Sequence, residues 1–303
     1  MYSDRKDEIA LSYKKIMNEL SNKSGILHEI SDVERMEIQK VILHMLSDIL
    51  EVCAKYNLIV MLGGGSALGA VRHQGFIPWD DDIDLNMPRK DYEKLKDVFN
   101  EELSASYNLY CPQYNHSAIE RFAKIEKKDT CFWPIDAKES YGICIDIFPI
   151  ENIPKRGLMR LGKGGIAQLC MFIAGQVKFW ENKNKWMRMF MCTSYKGKIT
   201  YYLKCFIGVI FSFIPAYKWF DWCDKVNQYK YTGVMGVPSG RKHYFGEIFP
   251  ENVYFPTKKA YFEDLEIRLP NKVEIYLSNL YGDYSRIPSK EEQEKHFVLE
   301  LKI

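Results

Sequence analysis

Residues 58–85 read LIVMLGGGSALGAVRHQGFIPWDDDIDL, and the fold turns on this stretch. Leu58–Leu62 is an unbroken apolar run of strand length, which predicts a buried strand. Gly63-Gly64-Gly65-Ser66 ends it. A short helix, ALGAVRH, is expected next with Ser66 as its N-cap, because a serine hydroxyl there accepts a free amide of the first turn. After the loop QGFIPW, Asp82-Ile83-Asp84-Leu85 alternates polar and apolar residues and predicts a second strand.

Working outward, residues 32–57 predict a helix. Ser31 and Glu34 have capping-box spacing, and Ile38, Val41, Ile42, Met45, Ile49 and Cys53 form one apolar stripe. Downstream, Pro88 suits the first turn of a helix RKDYEKLKDVFNEEL. YGICIDIFPI (Tyr141–Ile150) predicts a third strand carrying one acid, Asp146, and NKVEIYLSNLYGDY predicts a helix near the C-terminus. Strands mixed with helices in this order imply an α/β (α+β) domain, a mixed sheet flanked by helices. Three parts are expected: residues 1–154, a catalytic core with N-terminal helices; 155–230, a basic and aromatic helical insertion; and 231–303, completing the core.

Of 303 residues, 47% are hydrophobic, enough for a sizeable core, and the net charge is only +2. That balance hides an asymmetry. Lys155 to Lys218 carries twelve Lys or Arg against one acid, Glu181, for +11, which leaves −9 for the rest. The eight cysteines show no C-x-x-C pair and no zinc spacing, and they read as reduced residues of a cytosolic protein. The N-terminus MYSDRKDEIALSYKK has no signal-peptide core. The most apolar stretch, Cys205–Ala216, is 12 residues, short of the roughly 20 that a helical span needs.

The acids carry the chemistry. Residues two apart on a strand share a face, so Asp82 and Asp84 point the same way while Ile83 enters the core. Carboxylates fixed so suit Mg²⁺ or Mn²⁺, hard cations that also take substrate phosphate. Asp146 on a neighbouring strand is a candidate third ligand, and three acids could hold two ions about 3.5–4 Å apart for phosphoryl transfer. Gly65 and Ser66 at a helix N-terminus would offer amides and a hydroxyl to phosphate. Competing motifs fail by position. A P-loop needs Lys-Ser/Thr after its second glycine, where Ala70-Val71 stands; a dinucleotide fingerprint needs glycine at Leu68; an EF-hand needs glycine at Leu85 and glutamate at Asp91. A solvated acidic turn, with Asp146 an ordinary strand-end acid, is the reading without chemistry.

The block GGGSALGAVRHQGFIPWDDDIDLNMPRKDY, with RFAKIEKKDT, YGICIDIFPI, FEDLEIRLP and LYGDYSRIP, resembles the LicD family, which includes the fukutin-related proteins. The resemblance reaches most of the chain except about 155–230. It implies a nucleotidyltransferase-like fold and transfer of a phospho-substituent, such as phosphocholine or an alditol phosphate (ribitol or glycerol phosphate), from a CDP-activated donor to a sugar hydroxyl. The family's metal-binding acids correspond to Asp82, Asp84 and Asp146. Its turn corresponds to Gly65 and Ser66, where threonine is more usual and a hydroxyl is kept. Arg72 and His73 match its Arg-His pair, and Lys124 its lysine segment. Glu151 departs from the usual aspartate, and Pro288-Ser289 from the usual Pro-Pro.

Arg72 and Lys124 then become candidates to hold the donor's diphosphate, as charge-assisted bonds to phosphate are strong; surface solubility is the plain reading of each. His73 is a candidate phosphate donor or proton shuttle, or an ordinary hydrogen-bonded histidine. Trp79 and Phe76 either stack on a base or pack. Phe132, Trp133 and Tyr141 are candidates to cage a choline headgroup. Glu263 and Asp283 are caps or ion pairs as readily as site residues. In the basic segment, Trp180, Trp186, Phe190 and Tyr195 interleave with Lys178, Lys183, Lys185 and Arg188, a mixture suited to an anionic bilayer surface.

The expectation is a metal-dependent phosphotransferase decorating a cell-surface glycan (capsule, teichoic acid or lipopolysaccharide), its acceptor lipid-linked. It would be cytoplasmic, peripheral at the inner membrane face through 155–220, with no nucleic-acid partner. Transfer of the nucleotide itself and a non-catalytic membrane scaffold are the alternatives.

Overall fold

The computed structural model describes residues 27–116, 120–155, 157–290, 292–293 and 295–303; the N-terminal helices expected before residue 27 lie outside the described residues. After a short strand β1 (His28–Glu29), helix α1 (Asp32–Lys55) opens on the predicted capping box: the Ser31 hydroxyl accepts the Glu34 N–H, and the Glu34 carboxylate accepts the Ser31 N–H at 2.8 Å. Its stripe of Ile38, Ile42, Met45, Ile49 and Cys53 is buried, with Val41 at the margin.

Strand β2 is only Met61–Leu62, shorter than the apolar run suggested. Helix α2 (Gly64–His73) begins three residues earlier than expected. Its N-cap is Gly63, in extended conformation, with no side-chain cap; Ser66 lies inside the first turn and does not cap it. Strand β3 is Asp84–Pro88, so Asp82 and Ile83 approach the sheet rather than belong to it. Pro88 ends β3 and is the N-cap of α3 (Arg89–Glu102), one position earlier than expected. Proline suits both roles, since neither needs an amide hydrogen.

Strands β4 (Tyr107–Tyr110), β5 (Ala123–Lys127), β6 (Cys131–Pro134) and β7 (Cys144–Asn152) follow. The central sheet runs β2-β3-β7-β5-β4, with β3 and β7 parallel and the other pairs antiparallel. Then come helices α4 (Leu158–Glu181), α5 (Lys185–Met191), α6 (Tyr195–Phe211) and α7 (Ala216–Asn227). The chain returns to the sheet as β8 (Val234–Gly236), which pairs with the end of β7 through Glu151 and Gly236. A short α8 (His243–Gly246), β9 (Ile248–Pro250) beside β8, the hairpin β10 (Lys258–Phe262) and β11 (Leu265–Leu269), and α9 (Val273–Tyr281) complete the core. The last element is a strand, β12 (Phe297–Lys302), between β1 and β6 in a small second sheet. The whole is a mixed α+β fold.

Two departures gain a physical reason. Glu151 is buried and ion-paired with the Arg89 guanidinium, which also binds Asp224 at 2.7 Å and Glu93 at 2.7 Å. The longer side chain therefore ties β7 to α3 and α7, away from the acidic loop. In the helical segment, the Trp and Lys residues expected at a surface mostly satisfy one another or the protein. Lys178 pairs with Glu120 at 3.3 Å, Lys183 lies 3.4 Å over the Trp180 ring, and Trp186 and Phe190 pack against Leu27, Ile135 and Phe297.

Candidate active site

The register of β3 on β7 places Asp84 level with Asp146, and the register of β5 on β7 places Lys124 level with Asp146 from the other side. Three charged residues, 62 positions apart at most, thus form one row across the sheet. The Lys124 ammonium lies 3.0 Å from Asp146 Oδ1. Ile83, Leu85, Ile145 and Ile147 are fully buried beside them, so alternation along the strands holds the acids at the sheet's edge of the core.

The glycine turn is shaped by these acids. Gly64 has φ of +44°, and a Cβ there would fall 2.4 Å from Asp84 Oδ2; a Cβ on Gly65 would fall 3.2 Å from Asp80 Oδ2. Larger residues would occupy the space between turn and carboxylates. The buried Ser66 hydroxyl accepts the Asp84 N–H at 2.8 Å. The Tyr276 hydroxyl accepts the Gly64 N–H and the Asn86 amide, each at 3.1 Å, and fixes the turn from α9.

The acidic loop is held in pieces. Asp81 is buried and bonded to His296 Nδ1 at 2.5 Å, while the Gln39 amide binds the Asp80 carbonyl at 2.7 Å. Burial raises the Asp80 carboxyl well above its ordinary range, with Asp82 and Asp81 adding to the effect. Asp82 is reached by water from inside the clefts yet surrounded by protein; lost hydration, then Asp81 and Asp146, push it up to about 6. Asp84 is raised too, by burial first and by Asp82 and Asp146 after it. Carboxylates so crowded are stabilised by a cation.

Two cavities meet at Asp82. The first, about 400 Å³, is lined by Gly64, Gly65, Asp80, Asp82, Asp84 and Trp79, and by three arginines, Arg72, Arg241 and Arg286. The second, also about 400 Å³, is lined by Asp81, Asp82, Lys124, Asp146, Tyr141 and Phe132, with Met187 and Phe190 of α5 in its wall. Both volumes suit a small-molecule ligand. The first is polar and anion-seeking on one side, acid-bearing on the other.

Asp82, Asp84, Gly65 and Arg72 thus share one cleft, while Asp146 and Lys124 face the other cavity. Asp146 lies near enough to Asp82 and Asp84 to raise both carboxyls, although among the described residues no three His, Cys, Asp or Glu side chains form a ready-made cage for an ion. Asp82 and Asp84 fit a divalent ion that completes its shell from substrate oxygens, which is how Mg²⁺ is usually held. Arg72 Nη1 donates to the carbonyls of Tyr284 and Arg286, and its Nε donates to His73 Nε2 at 2.9 Å. Burial and the Arg72 charge lower the His73 pKa, consistent with the neutral acceptor that this bond requires.

Phe76 packs edge-on against Phe262, and Trp133 donates its indole N–H to Ala137. Phe132 and Tyr141 stack with ring centres 5.7 Å apart. Glu263 accepts the Phe76 N–H and Asp283 accepts from Ser285, so each braces a loop. Sequence reasoning missed Tyr276, Arg241, Arg286, Glu247 and His296. All come from beyond residue 240, and no local pattern links them to residues 63–84.

A model of the LicD/FKTN/FKRP nucleotidyltransferase domain matches residues 57–163. The lipopolysaccharide cholinephosphotransferase LicD of Haemophilus influenzae is 28% identical over 280 residues, 88% of this chain and 97% of its own length. Over residues 57–163, then, the chain is similar to the LicD family. An uncharacterized protein of Rickettsia prowazekii is 35% identical over 72 residues, 23% of this chain and 27% of its own length. The LicD domain match contains the glycine turn, the acidic loop, Lys124 and Asp146. Tyr276, the two later arginines and His296 fall after it, so the chain completes both cavities with residues outside that match.

Proposed function

We propose that the chain is a phosphotransferase. It moves a phospho-substituent, phosphocholine or an alditol phosphate, from a CDP-activated donor to a sugar hydroxyl of a lipid-linked cell-surface glycan. The observation that carries this reading is Asp82 at the junction of two cavities. A transfer reaction needs two substrates to approach one set of charges from different sides. The Haemophilus relative's name, a lipopolysaccharide cholinephosphotransferase, supports the class of acceptor and of transferred group.

The donor diphosphate occupies the first cleft, where Arg72, Arg241 and Arg286 offset its charge. Gly64 and Gly65 let it approach the backbone at the start of α2. Asp82 and Asp84 would hold Mg²⁺ or Mn²⁺, which would neutralise charge on the diphosphate. The acceptor hydroxyl enters from the second cavity, and its proton passes to Asp146, held in place by Lys124. The new bond joins the acceptor oxygen to the phosphorus of the transferred group. The bond from that phosphorus to the bridging oxygen breaks, and CMP leaves with the electron pair.

The test is incubation with Mg²⁺ and, separately, CDP-choline, CDP-ribitol, CDP-glycerol and CDP-ethanolamine, reading thermal stabilisation and CMP release. One donor stabilising the wild type only with metal, and releasing CMP, is the expected result. Release of the free phospho-headgroup (phosphocholine from CDP-choline) in place of CMP would replace this reading with nucleotide transfer; silence with all four donors would overturn the CDP-donor assignment.

A further inference from the structure

Helix α6 has two apolar faces. One, Tyr201, Cys205 and Gly208, is buried, and Gly208 packs so closely that a Cβ there would fall 2.5 Å from the Gln176 carbonyl of α4. The other is exposed: Tyr195, Ile199, Tyr202, Phe206, Val209 and Phe213, with Phe206 63% and Phe213 76% accessible. Their spacing of three and four residues makes a continuous stripe on one side of the helix and the corner after it. An apolar surface of this length is unusual on a protein that meets only water. α4, packed against α6, carries exposed apolar residues of its own, Leu161, Ile166 and Leu169.

We propose that this face is a membrane-seating surface, with α6 and the corner before α7 embedded in one leaflet of an anionic bilayer. Charge selects the occupant. From Asn182 to Phe220 there is no carboxylate, while Lys196, Lys198 and Lys204 lie in or beside the N-terminal half of α6. The stretch from Cys205 to Ala216 carries no charge at all. A second copy of the chain would set this +11 segment against itself. An anionic lipid surface instead attracts the lysines while the apolar stripe leaves water.

The mode of contact follows from length. α6 has 17 residues, about 26 Å of helix, and among the described residues no single helix is long and apolar enough to cross a membrane. α6 and α7 together have the length and composition of a span, but they are bent by 82° where they meet. The segment therefore enters and leaves by the same leaflet, leading with Phe206, Val209 and Phe213. This surface differs from the expected Trp and Lys set, of which Trp186 and Phe190 are half-buried against a small core and Lys178 is paired with Glu120. It is also separate from both cavities meeting at Asp82, so it stands whether or not the proposed reaction is right.

The test is co-sedimentation of the full chain with vesicles of phosphatidylcholine alone and with about one-third phosphatidylserine. The expected result is binding to the anionic vesicles that survives 1 M salt in part, since salt screens only the lysines. Phe206→Glu with Phe213→Glu should weaken it at least about tenfold, the loss expected from withdrawing two buried aromatic rings, at unchanged melting temperature. Lys196→Glu with Lys198→Glu should remove the preference for anionic lipid. No vesicle binding, or full binding by the phenylalanine variant, would overturn the proposal. So would a concentration-dependent dimer abolished by that variant, which would assign the face to a second copy.

Discussion

The Ser66 hydroxyl accepts the backbone N–H of Asp84 at 2.8 Å, so the first turn of α2 fixes the first residue of β3. Ser66→Ala would leave that partly buried amide without its partner, at a cost of about 1–3 kcal/mol. We expect a lower melting temperature and reduced turnover together. Ser66→Thr, which keeps a hydroxyl, should recover most of both; equal loss in the two variants would show that the hydroxyl is not what matters.

Asp84→Asn separates stability from chemistry. Burial and the neighbouring Asp82 and Asp146 make this carboxylate costly to ionise, so a neutral amide should raise the melting temperature at neutral pH in metal-free buffer. Turnover should fall on the order of 10³-fold, as when one preorganised electrostatic group is lost. Retained CMP release would sink the proposed mechanism.

Tyr276 lines the first cleft, and its hydroxyl serves both Gly64 and Asn86. Tyr276→Phe leaves both donors without it, and the shape is otherwise kept. Melting temperature should fall, with a loss of about 1–3 kcal/mol, and donor affinity should weaken more than donor-independent metal binding. Calorimetric titration with CDP-donor and with metal alone would distinguish the two.

Glu247 gives a pH prediction away from the acidic loop. It is buried in the wall of the first cleft, its Oε1 accepts the Lys242 N–H at 2.9 Å, and burial pushes it up to about 7. A carboxyl raised in the folded state stabilises fully below its unfolded value of 4.5 and loses that contribution as pH rises through about 7. The full swing is about 3 kcal/mol at roughly 1.4 kcal/mol per pH unit. Glu247→Gln should therefore match the wild type near pH 4.5 and exceed it above pH 7. Parallel melting curves from pH 5 to 8 would contradict this.

Much of the frame was legible because local signals agreed. The Ser31–Glu34 box, the α1 stripe and the Asp82-Ile83-Asp84 alternation each reflect short-range physics. Boundaries were not. Leu58–Leu62 is apolar throughout, yet only Met61 and Leu62 find a partner strand. The Ser66 reading failed because three preceding glycines let the helix begin at Gly64, moving the serine inside. Asp146 was placed on the right strand, but its pairing with Lys124 depends on the order β3-β7-β5, which no local pattern reveals. Trp186 and Phe190 looked like surface residues by composition; they sit half-buried against a small core of Leu27, Ile135 and Phe297, far away in sequence.

The bond from Asp81 to His296 spans 215 positions of chain, and the one from Gly64 to Tyr276 spans 212. A ribosome that has just made the acidic loop needs roughly 10–40 s more to deliver its histidine, at about 5–20 residues per second. For that interval the nascent chain has its acids but neither the tyrosine nor the histidine that holds them in place. Competence arrives late in synthesis, as a property of the folded chain rather than of its first half.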